Sequence, residues 1–100
     1  MRRLLIVADT FAVTNRGVIV APMPPEHELR GPADVEVELR LPDGARRTAC
    51  LSIALEDFYP PPGIRGWTCM FKTLAKSEVP IGTEIWCPDD VFRPRLTIAR

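Results

Sequence analysis

Val35-Glu36-Val37-Glu38-Leu39-Arg40-Leu41 alternates apolar and charged side chains without a fault, and Pro42-Asp43-Gly44 follows at once. Successive residues of a β-strand point to opposite faces, so a period of two means one face buried and the other wet. Proline presets φ for the start of a turn and glycine accepts the positive φ of a short β connection, so the chain is expected to reverse here. The returning strand, about Ala45 to Leu55, places Ala49, Leu51, Ile53 and Leu55 on one side and Thr48, Cys50, Ser52 and Ala54 on the other. On the solvent face, Glu36 and Glu38 are expected to pair across to Arg46 or Arg47, a contribution of roughly 0.2–1 kcal/mol per pair.

On the N-terminal side of this hairpin, the run from Arg3 to Ala8 is short, apolar and rich in branched residues, and Phe11-Ala12-Val13 continues it past Asp9-Thr10. Together they read as one long or bent buried strand. Thr14-Asn15-Arg16-Gly17 supplies a turn, because Asn tolerates and Gly freely adopts a left-handed backbone, and it leads into Val18-Ile19-Val20-Ala21 as a second hairpin. The proline-rich segment from Pro22 to Ala33 has no sustained period and reads as a long surface connection.

On the C-terminal side, Glu56 to Gly63 reads as a loop rich in proline and aromatic residues. Arg65 to Leu74 reads as a strand with Trp67, Cys69 and Phe71 on its core face and Thr68, Met70 and Lys72 on the other. Ala75 to Glu78 suits a single helical turn, and Glu84 to Cys87 a short strand. Eleven prolines cut the chain into short pieces, so no long helix can be laid across it. The expected fold is all-β: a small closed or nearly closed antiparallel β-barrel of six or so short strands with little helix. Residues 1–90 form its single domain, and residues 91–100, with Leu96-Thr97-Ile98, form a C-terminal tail or an edge strand.

The 100 residues carry 13 Lys plus Arg against 13 Asp plus Glu, so any broad basic face must be balanced elsewhere. With 46% apolar and 26% charged residues, the chain can bury enough surface to order itself. No apolar run reaches the ~18 residues of a membrane span, and the run after Met1 meets Asp9 before a signal core is complete. The expectation is a soluble, cytoplasmic protein with no membrane partner. Cys50, Cys69 and Cys87 are odd in number and widely spaced, which suits neither a disulfide framework nor a CxxC site and makes free thiols the default.

The ordered segments resemble a family, domain 2 of the translational GTPases, the β-barrel that follows the GTP-binding domain in elongation factor Tu. Asp9 to Val20 resembles that barrel's opening strand and its Gly-Arg-Gly turn, with Asn15 in place of the first glycine. Ala33 to Leu39 resembles its glycine-acid strand opening, with Ala33 in place of the glycine. Ile53 to Phe58 resembles the segment leading into the substrate-side loop, and Val79 to Trp86 the closing turn and last strand. The resemblance spans about residues 3–89 and extends to small bacterial proteins that carry this barrel by itself.

There is no GxxxxGK[ST] loop and no room for a GTPase domain, so the resemblance implies a stand-alone binding module, with RNA or a translation-associated protein as partner, no cofactor and no enzymatic activity. In elongation factor Tu the barrel helps hold the aminoacyl 3′ end of tRNA, and the matching positions include Phe11 and Glu56. Where the family offers an acidic residue followed by Asn for the terminal nucleotide, this chain offers Arg65-Gly66.

The candidate binding residues are therefore Phe11, Arg16, Glu56, Phe58, Tyr59 and Arg65. Arg16 is either a phosphate contact or a solvated charge at a hairpin tip. Glu56-Asp57 does not suit acid–base chemistry, because adjacent strand residues diverge. His27, the only histidine, lies between Glu26 and Glu28 with no nucleophile at recognisable spacing. The three cysteines would reach a common metal only by tertiary convergence. Trp67 and Phe71 read as core, whereas Trp86 lies outside the barrel on its strand alternation. The competing reading is a protein-interaction or homo-oligomer-forming barrel with no nucleic-acid role, using the loop from Phe58 to Gly63 and an edge near Trp86.

Overall fold

The computed structural model describes residues 1–58 and 64–94. Seven antiparallel strands form one sheet: β1 Arg2–Ile6, β2 Asp9–Val13, β3 Gly17–Ala21, β4 Ala33–Arg40, β5 Arg46–Phe58, β6 Ile64–Phe71 and β7 Glu84–Cys87. The sheet order is β1-β7-β4-β5-β6-β3-β2, and the sheet curls into a half-barrel. Its two terminal strands, β1 and β2, are consecutive halves of one bent segment, which agrees with the long or bent strand expected from the sequence. The bend is tied to both ends of the sheet: Val7 N–H donates to Thr83 O at 2.8 Å, and Ala8 N–H donates to Ala21 O at 2.8 Å. Helical structure among the described residues is limited to 3-10 turns at Glu26–Glu28, Lys76–Glu78 and Asp89–Val91.

The alternation in the β4–β5 hairpin builds the centre of the core, where Val37, Leu39 and Leu51 are fully buried and Ile53 nearly so. Trp67, Cys69 and Phe71 face them from β6, as the sequence pattern requires. In β1 two consecutive residues, Leu4 and Leu5, are both buried, which a regular strand does not allow. A register shift against β7 between Arg3 and Leu5 accounts for this, because the extra residue of a bulge breaks the alternation.

Turn chemistry also behaves as the residue types demand. Asn15 sits at φ +62°, and Gly17 and Gly44 at +123° and +92°. Asp43 Oδ1 accepts the Ala45 N–H at 2.9 Å, which fixes the β4–β5 turn.

Two expectations are corrected. Glu56 to Phe58 does not belong to a loop: it extends β5, paired residue for residue with Gly66, Arg65 and Ile64. The connection from Pro22 to Ala33 is not only a surface segment, because Leu29 is fully buried and pairs in an isolated bridge with Phe92. The packed core also reaches past residue 90, since Val91 and Phe92 are buried in it. The segment around Leu96 lies outside the described residues.

Candidate binding site

Strand register lines up the outward-facing side chains of four neighbouring strands. Phe11 of β2 lies opposite Ile19 of β3, Ile19 opposite Met70 of β6, and Met70 opposite Ser52 of β5. The first three members of this row, Phe11, Ile19 and Met70, are apolar, and Phe11 is 52% exposed. Beside it a groove of about 360 Å³ is lined by Phe11, Ile19, Ala21, Met23 and Thr68. Met23 reaches the groove because the connection after β3 folds back over β6. A β-carbon at Gly66 would meet the Met23 side chain at 3.5 Å, an ordinary van der Waals contact, so the Met23 side chain lies directly over β6 at this position. The same connection is anchored by Trp67, whose indole N–H donates to Glu26 O at 3.0 Å.

The groove has one polar edge. Thr68 is nearly buried, and its hydroxyl donates to Glu56 Oε2 at 3.1 Å. Extension of β5 through Glu56 sets this carboxylate against Thr68, which lines the groove with Phe11, so Thr68 links the two residues that the resemblance implies.

The other candidates separate. Arg65 lies 3.7 Å from Glu26 Oε1, a pairing that ties it to the connection folded over β6. Arg16 projects from the β2–β3 turn and borders a second recess of about 370 Å³ with Asn15, Met70 and Lys72. Phe58 ends β5, but its side chain, like Tyr59, lies outside the described residues.

Trp86 does lie on the outer face, as its alternation implied. The Arg40 guanidinium stacks 3.9 Å from its ring centroid, and its indole N–H donates to Glu84 Oε1 at 2.9 Å. Glu38 accepts from Arg40 Nε at 2.7 Å and lies 3.9 Å from Arg46, which realises one of the expected cross-strand pairs. The Arg40 hydrogen bond is the main reason that the Glu38 carboxyl is held below its ordinary pKa. Arg47 turns instead to Glu78 at 3.0 Å. Glu78 is likewise held below its ordinary value, first by the Ala75 N–H it accepts and then by Arg47.

Cys50 is exposed on β5, whereas Cys69 and Cys87 are buried, and burial pushes both of these thiols up to about 12. Among the described residues no three His, Cys, Asp or Glu side chains converge to hold a metal ion. His27 is exposed in its 3-10 turn. No helix among the described residues is long and apolar enough to cross a membrane.

The groove residues that the sequence reading passed over are Ile19, Ala21 and Met23. Their signal was the unbroken apolar run Val18-Ile19-Val20-Ala21, which no half-exposed strand needs unless its outer face is covered too. Comparison of the chain with protein-family models, with curated proteins and with solved structures gave no match in any of the three.

Proposed function

We propose that this chain is a non-enzymatic, single-domain binding module, similar to domain 2 of the translational GTPases, whose outer groove takes an unpaired segment of RNA. The observation that carries this reading is the half-exposed Phe11 ring beside the Thr68–Glu56 hydrogen bond. An aromatic face on an open sheet offers a base a stacking platform without demanding a particular sequence. The adjacent hydroxyl and carboxylate offer partners to the sugar, and a carboxylate accepts hydrogen bonds from hydroxyl groups more strongly than a neutral oxygen does.

The test is an anisotropy titration of labelled single-stranded RNA and of a tRNA acceptor-end mimic, at low and high salt, comparing the unaltered protein with Phe11→Ala. Loss of one base stack costs about 1–3 kcal/mol, so affinity falls about 5- to 150-fold while the melting temperature stays put. Equal affinity of the two proteins overturns the reading.

A second reading has its own observation. The groove is almost wholly apolar, and the chain's net charge is zero, which suits a protein partner as well as a base. Binding through such an interface responds little to salt, whereas RNA affinity must fall steeply as salt rises.

A further inference from the structure

We propose that the recess between the β2–β3 turn and the end of β6 is a phosphate subsite formed by Arg16 and Lys72. It continues the Phe11 groove, so that a single-stranded oligonucleotide crosses β3 and β6 with a base on Phe11 and a phosphate in this corner. The inference rests on the RNA reading above and assigns the polarity and the cationic half of that site.

Charge pairing and position together pick out these two cations. Arg3, Arg40, Arg46, Arg47 and Arg65 each have a carboxylate within 4.0 Å. Arg2 lies over the Phe92 ring, and Arg30 and Arg93 donate to the backbone carbonyls of Phe92 and Leu29. Among the described residues Arg16, Lys72 and Lys76 have no carboxylate partner, and of these only Arg16 and Lys72, both exposed, border one recess. No carboxylate lines that recess; Asp34 shares the neighbouring cleft with Lys72 without closing to ion-pair distance. Two guanidinium and ammonium groups left without counter-charges on a neutral protein form a local positive corner, and phosphate is the anion that a fork-shaped Arg and a mobile Lys both suit.

The backbone holds the corner together. A β-carbon at Gly17 would sit 2.1 Å from the Phe71 carbonyl oxygen and 2.8 Å from Lys72 Cα, so the glycine lets β3 press directly onto the end of β6. With Asn15 at φ +62° just before it, the turn projects Arg16 beside Lys72. The recess and the groove then meet along one paired position. Ile19 lines the groove, Met70 lines the recess, and the two are partners across β3 and β6. Thr68 on β6 and Lys72, the first residue past its end, stand four residues apart, about 13 Å at ~3.3 Å per residue. This leaves room for a base, a sugar and a phosphate in sequence.

The experiment is a salt titration of binding to a labelled single-stranded RNA tetranucleotide, using the full chain and the variants Arg16→Ala, Lys72→Ala and the double variant. Each phosphate neutralised in a single strand contributes about 0.7 to the slope of log K against log salt, so the double variant, which gives up the one phosphate held in this corner, should lose about 0.7 from that slope as well as affinity. Arg16→Lys, which keeps the charge, should keep the slope, and a tetranucleotide with an uncharged methylphosphonate backbone should bind all five proteins alike. Both side chains are exposed, so a thermal melt monitored by circular dichroism confirms that the variants are folded. An unchanged slope in a folded double variant that still binds RNA overturns this inference and leaves the Phe11 groove standing. Failure of the unaltered protein to bind the tetranucleotide overturns the RNA reading and this inference with it.

Discussion

Thr68 and Glu56 stand on neighbouring strands and share one hydrogen bond, the Thr68 hydroxyl donating to Glu56 Oε2 at 3.1 Å. They are not directly opposed: Thr68 faces Ala54 and Glu56 faces Gly66, so the bond runs diagonally across the β5–β6 ladder. The absent side chain at Gly66 leaves the Glu56 carboxylate free of a cross-strand neighbour on that face. Thr68→Val preserves shape but removes the donor from a position that is only 6% exposed. Urea unfolding should show a loss of about 1 kcal/mol, the usual net worth of an intramolecular hydrogen bond. Glu56→Gln keeps an acceptor and should lose less. If both variants match the unaltered protein in stability, the diagonal bond is not formed in solution.

Gly17 and Gly44 both have positive φ, yet alanine should not cost the same at the two positions. At Gly44 nothing lies within 4 Å of an added β-carbon, so Gly44→Ala carries only the backbone strain, about 1 kcal/mol. At Gly17 the same change adds a collision with the Phe71 carbonyl, which no rotamer can relieve. Gly17→Ala should therefore destabilise by about 2 kcal/mol or more beyond Gly44→Ala in a denaturant midpoint comparison. Equal losses would mean that β3 and β6 do not approach as closely as described.

The elements legible in the sequence are those whose cause is local. Alternation alone places Val37 and Leu39 inside and Glu38 outside, and Asn15, Gly17 and Gly44 stand where positive φ is needed. Other features have causes distant along the chain. Glu56-Asp57-Phe58 carries two acids and precedes a proline run, which locally favours a loop, yet pairing with Ile64-Arg65-Gly66 holds it in β5. Leu29 sits in a segment without a period, and its burial depends on Phe92, 63 positions away. The groove was half readable. Phe11 and Glu56 were found through the resemblance, but Met23 enters only because its connection folds over Gly66, a tertiary event that no window of sequence contains.

The carboxylates of Glu38 and Glu78 are both held below their ordinary pKa, Glu38 chiefly by Arg40 and Glu78 chiefly by the Ala75 N–H. A carboxylate with a lower pKa in the folded than in the unfolded chain contributes stability above the unfolded value. That contribution disappears as pH falls through the folded value. The urea midpoint of the unaltered protein should therefore drop as pH is lowered from 5 through the carboxylate range. In Glu38→Gln/Glu78→Gln the drop should be shallower, because the variant has already lost the pairing at neutral pH. Both groups are partly exposed to solvent, so added salt should narrow the difference between the proteins. Parallel pH profiles would show that neither pairing persists in solution.

The three thiols should divide by reactivity and by alkaline sensitivity. Cys50 is exposed on β5, so Ellman's reagent at pH 8 should modify one thiol per native chain and all three in denaturant. Cys69 and Cys87 react only as thiolates, and burial raises both from the ordinary value of 9.0 to about 12. A thiol that stays protonated in the folded state but ionises near 9 when unfolded costs the fold stability as pH rises between those values. Stability should therefore decline from about pH 9 towards pH 12, and Cys69→Ala/Cys87→Ala should remove this part of the decline while lowering stability at neutral pH through the two small cavities it leaves. Cys50→Ser should change neither the alkaline decline nor the neutral stability by more than about 0.5 kcal/mol, since its side chain meets water. Two or three fast-reacting thiols in the native protein at pH 8 would contradict the burial of Cys69 and Cys87 in the core.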